Sequence, residues 1–146
     1  LEQLCRRVEH VGPSGSGVRL KLTVNLPLLV FWQSFSEALS LSAKLNIPPE
    51  RLIDILSDTS GAPNMMKGRT PALISTLKGE PQPAAAFTLD NIRKDLRTMI
   101  EEAQSNGWDL PVTQAALSAL DKTSAAGLGD VDGTSVPAWF IKTHCK

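Results

Sequence analysis

Residues 12–45 read GPSGSGVRLKLTVNLPLLVFWQSFSEALSLSAKL. The glycines within residues 12–17 favour a tight turn. From Val18 to Leu45 there is no glycine and the only proline is Pro27, while apolar residues recur at the spacing of a helix. This stretch therefore predicts a turn followed by one long helix, and Pro27 is the point where a kink is expected.

Further helices are predicted from start and stop residues later in the chain. Pro49 and Pro111 open two of them, and Asp132 is placed to cap the last. The predicted ranges after the long helix are approximately 49–57, 70–77, 88–106, 111–126 and 133–142. Before the turn, residues 1–7 fit the end of a helix and 8–11 a short strand. Because no hairpin signal joins two strand-like runs, we predict an all-α fold of about six helices.

The composition excludes several classes of partner. Fifteen Lys and Arg side chains balance fifteen Asp and Glu side chains, so no net field draws the chain to nucleic acid or to an anionic membrane. The longest apolar stretch, 26–35, is shorter than the roughly 20 residues that a membrane span needs. Cys5 and Cys145 give no metal-site or disulfide spacing. We therefore expect no metal, a cytoplasmic setting, and small molecules or other proteins as partners.

The start of the chain carries no targeting signal. The first residue is Leu1 rather than Met, and residues 1–7 lack the apolar run of a signal peptide. We expect the chain to begin part-way through a longer protein.

Lys21 and Asn25 are the first candidates for chemistry. Their spacing of four places them on one helical face, with Cβ atoms roughly 6 Å apart, so one ligand could contact both. The neighbours of Lys21 in sequence are apolar, and burial among them would make it a usable proton donor or acceptor. The alternative is an ordinary lysine on the solvent side of a half-buried helix.

Two other patterns favour structural roles when taken alone. The glycine loop could expose N–H groups to a phosphate, but Val18 stands where a P-loop has lysine, so a plain turn is favoured. The charged run at residues 93–95 is typical of a solvated helix face.

The apolar surroundings of Phe31 and Trp32 on almost every side of the long helix predict that a partner domain or a second subunit covers it.

Four motifs in order give the chain a family resemblance. It resembles the C-terminal domain of the β-hydroxyacid dehydrogenases, the family of 3-hydroxyisobutyrate dehydrogenase and tartronate semialdehyde reductase, within the 6-phosphogluconate dehydrogenase superfamily. The motifs are Gly12-x-x-Gly15-x-Gly17-x-x-x-Lys21-x-x-x-Asn25, then Phe87 with Lys94-Asp95-Leu96, then Gly107-x-x-Leu110-Pro111, and Gly127-Leu128-Gly129-Asp130-x-Asp132.

The resemblance implies a particular architecture. Residues 1–11 would be the tail of a nucleotide-binding Rossmann domain that is absent from this chain, and 12–146 an all-α domain for substrate binding and dimerisation. The long helix would run between the two domains, and the helical domain would form a homo-oligomer. Alone, the chain is expected to be inactive.

The resemblance also implies the roles of individual residues. Lys21 would be the catalytic acid/base, and Asn25 and Gly17 would bind a small 3-hydroxy acid or its semialdehyde. NAD or NADP, bound mainly by the Rossmann domain, would be contacted here by three residues of the second motif: Lys94, Asp95 and Phe87. Asp95 would orient Lys94. Val24 departs from the pattern, since many members carry a second asparagine there, and we expect this to affect packing more than chemistry.

Two other functions stay open at this point. One is a non-catalytic helical dimerisation module, against which the joint presence of Lys21, Asn25 and Lys94 argues. The other is an imine reductase, which shares the architecture and usually carries another residue in place of Lys21.

Overall fold

A computed structural model describes residues 7–82 and 84–145. These residues form six α-helices, and the only β pairing among them is an isolated bridge between Thr88 and Asp132. The helices are α1 (Ser16–Leu41), α2 (Pro49–Ser57), α3 (Met65–Leu77), α4 (Leu89–Ser105), α5 (Pro111–Thr123) and α6 (Ser135–His144). The predicted all-α fold is confirmed. The strand predicted at 8–11 is wrong, since these residues are irregular, and the helical tail predicted at 1–7 lies, but for Arg7, outside the described residues.

Glycine geometry sets the start of α1. Gly15 has φ 95°, a left-handed conformation that side chains disfavour, and its carbonyl accepts hydrogen bonds from the Val18 and Arg19 N–H groups. The helix continues through Pro27, although proline has no N–H for the Thr23 carbonyl. It ends at Leu41, earlier than the predicted 45, where the Ser42 hydroxyl and N–H both donate to the Leu39 carbonyl.

The later helices agree with their predicted ranges except mainly at the start of α3 and the end of α5. Helix α4 is capped as its sequence indicates, because the Thr88 hydroxyl accepts a hydrogen bond from the Asn91 N–H at 3.2 Å. Helix α3 begins at Met65, earlier than predicted, and contains Pro71. Helix α5 gives way after Thr123 to a π-helical turn, Ser124–Leu128, in which Gly127 adopts φ 91°. The glycine thus closes this helix within the predicted region.

Helix α1 passes through both clusters of the hydrophobic core. One cluster joins it to α4, α5 and α6, and consists of Leu29, Trp32, Leu89, Ile92, Leu96, Met99, Leu120 and Val136. The other joins it to α2 and α3, and consists of Phe35, Leu39, Ile53, Met66 and Leu73. Within the described residues Trp32 is 4% exposed and Phe31 is half-buried, so the domain itself covers much of this part of the helix, and the cover expected from a partner domain or a second subunit stays a prediction.

The N-terminal half of α1 has a different environment. Val18, Leu20 and Val24 are 65%, 45% and 57% exposed among the described residues. In this half only Leu22 and Leu26 pack against the core, so the apolar character that the sequence shows along the whole helix is fully buried only in its second half.

Charged side chains tie α4 to α5 and to the π-helical turn. Arg93 donates to Asp121 at 2.6 Å, to Asp90 at 2.5 Å and to the Ser124 hydroxyl at 2.7 Å. Its side chain is only 18% exposed, so the interpretation of residues 93–95 as a solvated face is wrong for Arg93. The network holds the segment that leads from α5 to α6.

Close packing at Gly133 gives a stability prediction. A Cβ at this position would lie 2.7 Å from Ile92 Cδ1 and 3.1 Å from Trp32 Nε1. We expect Gly133→Ala to lower the free energy of unfolding by about 1–3 kcal/mol, because the core must shift to admit a methyl group. The matched control is Gly68→Ala in α3, where a Cβ would have no neighbour within 4 Å. That variant should gain about 0.5–1 kcal/mol from helix propensity. Urea titrations measure both, and a Gly133→Ala variant as stable as the wild type would contradict this packing.

A second prediction concerns acid stability. The Ser124 hydroxyl and the Arg93 guanidinium, as hydrogen-bond donors to Asp90, hold the pKa of the Asp90 carboxyl below its ordinary value. Because the folded-state pKa is the lower one, this stabilisation is complete above about pH 4 and is lost as the pH falls through the folded-state value. We expect Asp90→Asn to make the acid limb of the stability curve less steep. Unfolding titrations between about pH 7 and 3 test this, with Asp58→Asn, at an exposed turn, as control. Parallel acid limbs for wild type and Asp90→Asn would disprove it.

Candidate functional site

A cleft of about 280 Å³ opens between α1, the first turns of α3, and α4. A volume near 300 Å³ is at the lower end of the range for small-molecule sites. The lining residues are Lys21, Asn25, Leu28, Leu29, Trp32, Met65, Arg69, Phe87, Ile92, Asp95, Asp132 and Gly133. Four of the six site residues predicted from sequence are among them.

One face of α1 forms the long wall of this cleft. Lys21, Asn25 and Trp32 follow one another at intervals of four and seven residues, which keeps them on the same side of the helix. Asn25 is half-buried, but Lys21 is exposed. The burial expected around Lys21 is therefore not provided by the described residues, because Val18, Leu20 and Val24 are exposed as well.

The opposite wall brings together Phe87 and Asp95. Phe87 lies just before the cap of α4 and Asp95 within that helix, and both are half-buried. Lys94 does not line the cleft and is exposed, and no salt bridge between described residues joins it to Asp95. The structure thus places the two neighbours differently, and the orientation of Lys94 by Asp95 stays a prediction. Gly17 lies in the first turn of α1, exposed and outside the cleft lining.

An ion pair in the cleft was not predicted from the sequence. Arg69 Nη1 donates to Asp132 Oδ2 at 3.1 Å, and the Asp132 side chain is only 13% exposed. Asp132 Oδ1 accepts hydrogen bonds from the N–H and the hydroxyl of Thr134, both at 3.1 Å. Because α6 begins at Ser135, the carboxylate fixes the turn before the helix rather than capping its first N–H groups. Arg69 was missed because the helical pattern is weak where α3 begins.

Trp32 completes the same end of the cleft. The residue is 4% exposed, but its indole N–H is not a fully buried group without a partner; among the described residues the atom of that kind is Oε1 of the neighbouring Gln33. Gly133 leaves room beside this N–H, since a Cβ there would lie 3.1 Å from Nε1. The sequence predicted Trp32 as an apolar anchor, and the spacing of apolar residues did not indicate a role for its indole N–H.

Two further findings concern metal binding and membrane crossing. In the described part of the chain, no three His, Cys, Asp or Glu side chains come together in a way that could hold a metal ion. Among the helices described, none has both the length and the apolar character to cross a membrane.

A family model described as NAD-binding of NADP-dependent 3-hydroxyisobutyrate dehydrogenase matches residues 15–140. The chain belongs to this family. The match begins at the N-cap glycine of α1 and ends inside α6, so it covers the cleft and all six helices. The resemblance drawn from the motifs is therefore confirmed.

Curated members of the 3-hydroxyisobutyrate dehydrogenase family and its relatives are longer than this chain. Glyoxylate/succinic semialdehyde reductase 1 of Arabidopsis thaliana is 32% identical over 133 residues, which cover 91% of this chain and 44% of that protein. 2-(Hydroxymethyl)glutarate dehydrogenase of Eubacterium barkeri is 30% identical over 136 residues, covering 93% of this chain and again 44% of the relative. The chain spans less than half the length of these relatives.

Solved structures share the helical arrangement. A 3-hydroxyisobutyrate dehydrogenase from Salmonella typhimurium matches with a TM-score of 0.72 at 25% identity, over 84% of this chain and 41% of that one. The Mycobacterium tuberculosis 3-hydroxyisobutyrate dehydrogenase with L-serine matches with a TM-score of 0.73 at 24% identity, over 93% and 47%. The predicted fold of the family's helical domain is thus confirmed.

Proposed function

We propose that this chain is the substrate-side helical domain of an NAD(P)-dependent oxidoreductase that interconverts a 3-hydroxy acid and its semialdehyde or oxo acid. The observation that carries the proposal is the shared cleft, which Lys21 and Asn25 line from α1 and Phe87 and Asp95 from the opposite wall. Motifs that lie far apart in the sequence supply these residues. The names of the relatives, a semialdehyde reductase and a hydroxy-acid dehydrogenase, describe reactions of this class.

The proposal includes a second domain. Residues 12–146 would be the helical domain, and 1–11 the end of a nucleotide-binding Rossmann domain. The relatives are more than twice as long as the matched region, which leaves room for such a domain. The exposed apolar side chains of Val18, Leu20 and Val24 are the surface that it, or a second copy of the chain in a homo-oligomer, would cover.

The residues of the α4 side fit a nicotinamide dinucleotide. Phe87 offers a half-buried aromatic surface at the cleft, and Lys94 is an exposed cation next to the wall residue Asp95. Lys94 would contact the phosphates and Phe87 the flat part of the cofactor. When bound, the cofactor supplies the hydride acceptor for oxidation and the donor for reduction.

Lys21 would move the proton that accompanies this hydride. In oxidation, the C–H bond at the hydroxyl carbon breaks to give up a hydride, and the O–H proton passes to unprotonated Lys21 Nζ as the carbonyl forms. In reduction, the protonated amine returns that proton to the oxygen. The Asn25 amide N–H would donate to the same oxygen, and Gly17, having no side chain, would let the substrate approach the first turn of α1. Since Lys21 is exposed here, exclusion of water falls to the second domain, and the isolated chain should not turn over.

The first test is Lys21→Met in the complete two-domain protein. We expect kcat for oxidation of a 3-hydroxy acid to fall at least about 100-fold, because the proton acceptor is lost, while the Kd for NAD(P) changes little. The matched control is Lys44→Met, which removes an exposed lysine in the turn after α1. Activity is followed by the absorbance of the reduced nicotinamide.

Three outcomes would contradict the proposal. Near-normal activity of Lys21→Met would remove Lys21 from the chemistry. Reduction of cyclic imines without oxidation of hydroxy acids would identify an imine reductase. A complete protein that assembles through its helical domain but turns over neither substrate would be a non-catalytic dimerisation module.

The second test concerns Lys94 and the cofactor. Because Lys94 is exposed and outside the cleft, Lys94→Met should raise the Kd for the dinucleotide about 10-fold and leave the KM for the hydroxy acid within about twofold. The increase should shrink at high salt, since a phosphate contact is screened. Lys122→Met, at an exposed lysine in the last turn of α5, is the control. Fluorescence titration with NADH and NADPH measures both variants, and an unchanged Kd would refute the role.

A further inference from the structure

The cleft contains hydrogen-bond donors that the proposed reaction does not use. Trp32 and Arg69 lie at one end of it, with Asp132 and Gly133. The closeness of these residues follows from two contacts: Arg69 pairs with Asp132 at 3.1 Å, and Gly133 leaves only 3.1 Å between a hypothetical Cβ and Trp32 Nε1. They therefore form one group, which we call the distal end of the cleft.

The distal end lies well away from Lys21. Trp32 follows Lys21 by eleven residues on α1, which at about 1.5 Å per residue is a separation of roughly 16 Å along the helix axis. Asn25 is separated from Trp32 by about 10 Å on the same basis. Because the Lys21 and Trp32 side chains both line one cleft of about 280 Å³, they span part of this separation, and a ligand whose hydroxyl is at Lys21 reaches the distal end with a second group several bonds away.

Both free polar groups at the distal end are donors. The Trp32 indole can only donate, and its N–H has no partner among the described residues. The Arg69 guanidinium has five N–H groups and no acceptor, and the contact recorded for it within the described chain uses Nη1 alone. Its side chain remains 36% exposed to the cleft and solvent. A group that binds both residues must be an acceptor, and a carboxylate matches the planar fork of arginine.

Asp132 does not cancel this preference. Its Oδ1 is occupied by both donors of Thr134 and its Oδ2 by Arg69, and the side chain is 13% exposed. The carboxylate thus holds the guanidinium in place, and both of its oxygens already accept hydrogen bonds from described residues. An arginine that is positioned before binding loses less rotamer entropy when the ligand arrives.

We infer that Arg69 and Trp32 form a subsite for a second carboxylate, so that the substrate is a 3-hydroxy acid with a carboxylate-bearing branch rather than a plain alkyl one. The inference rests on the proposed function for the reacting end of the substrate. It does not depend on that function for the binding of the second carboxylate itself.

The kinetic test compares three hydroxy acids in the complete protein. They share the HOCH₂–CH–COO⁻ unit and differ in the branch: 2-(hydroxymethyl)glutarate has a carboxyethyl branch, 2-(hydroxymethyl)pentanoate an uncharged branch of similar size, and 3-hydroxyisobutyrate a methyl group. We expect kcat/KM for the glutarate compound to exceed that for the pentanoate at least about 30-fold, a value in the range for a charge-assisted pair of hydrogen bonds. Equal values for these two would overturn the inference.

Variants then assign the preference to residues. Arg69→Met should reduce kcat/KM for the glutarate compound at least about 30-fold, through KM, and that for 3-hydroxyisobutyrate less than threefold. Trp32→Phe removes the N–H together with one ring of the indole, so it should cost the glutarate compound a few-fold more than it costs the other two substrates. Arg51→Met, at an exposed arginine on α2 with a loose 3.8 Å ion pair, is the matched control. Equal losses on all three substrates would mean that Arg69 only supports the structure, and would refute the subsite.

Arg69→Lys is the control for a loss of folding in Arg69→Met. It retains a cation for Asp132 but lacks the planar fork, so it should keep wild-type stability and still lose most of the preference for the glutarate compound. A variant that keeps the full preference would contradict recognition by the guanidinium fork.

Direct binding separates this inference from the proposed function. Glutarate, which has no hydroxyl to oxidise, is titrated calorimetrically into the wild type and into Arg69→Met, with butyrate as the one-carboxylate comparison. We expect glutarate to bind at least about 10-fold more tightly than butyrate, and the difference to vanish in Arg69→Met. Glutarate binding that depends on Arg69 without turnover of any hydroxy acid would leave the subsite standing and overturn the oxidoreductase proposal. Turnover of a hydroxy acid without Arg69-dependent binding of glutarate would overturn the subsite and leave the oxidoreductase proposal standing.

Discussion

The structure depends on the burial of one face of α1. This helix of 26 residues crosses both clusters of the core, so α4, α5 and α6 pack on one part of it and α2 and α3 on another. Leu29, Trp32, Phe35 and Leu39 are each less than 9% exposed. At roughly 1.5–3 kcal/mol for burial of a large apolar side chain, these four outweigh any single polar contact in the domain. The same helix supplies the long wall of the cleft, so the packing of its second half fixes the position of the candidate site.

The other wall is held by charge as well as by apolar contact. Arg93 links α4 to Asp121 on α5 and to Ser124 at the π-helical turn, and the backbone N–H of Asp90 donates to the Gly129 carbonyl at 3.0 Å. These contacts fix the chain between α5 and α6. That connection ends at Asp132 and Gly133, which line the cleft, so the polar network of one side of the domain determines the shape of a site on the other.

Periodicity and terminal signals were sufficient to predict the helices, because they are properties of short segments. The Pro49 and Pro111 starts and the amphipathic helix at residues 88–106 needed no knowledge of the rest of the chain. The motifs likewise selected Lys21, Asn25, Phe87 and Asp95, which the fold brings to one cleft. Arg69 and the indole N–H of Trp32 could not be selected in this way. Their significance arises from contacts such as that between Arg69 and Asp132, 63 residues apart. The exposure of Lys21 agrees with the alternative of a lysine on the solvent side, between which and burial the sequence could not decide, since apolar neighbours in sequence do not determine which residues cover them.

Pro27 divides α1 into two units of different cooperativity. It removes the hydrogen bond to the Thr23 carbonyl at the point where the exposed first half of the helix meets the half that is part of the core. Amides of the second half can open only when the core opens, whereas opening of the first half breaks the packing of Leu22 and Leu26 and the Arg19–Glu102 ion pair but leaves the buried core residues in place. The candidate proton carrier Lys21 thus stands on the locally labile unit and the Trp32 indole on the globally stable one. The first half of α1 can therefore change its conformation when another domain packs on it, whereas the second half holds its ligand-facing side chains in a fixed position.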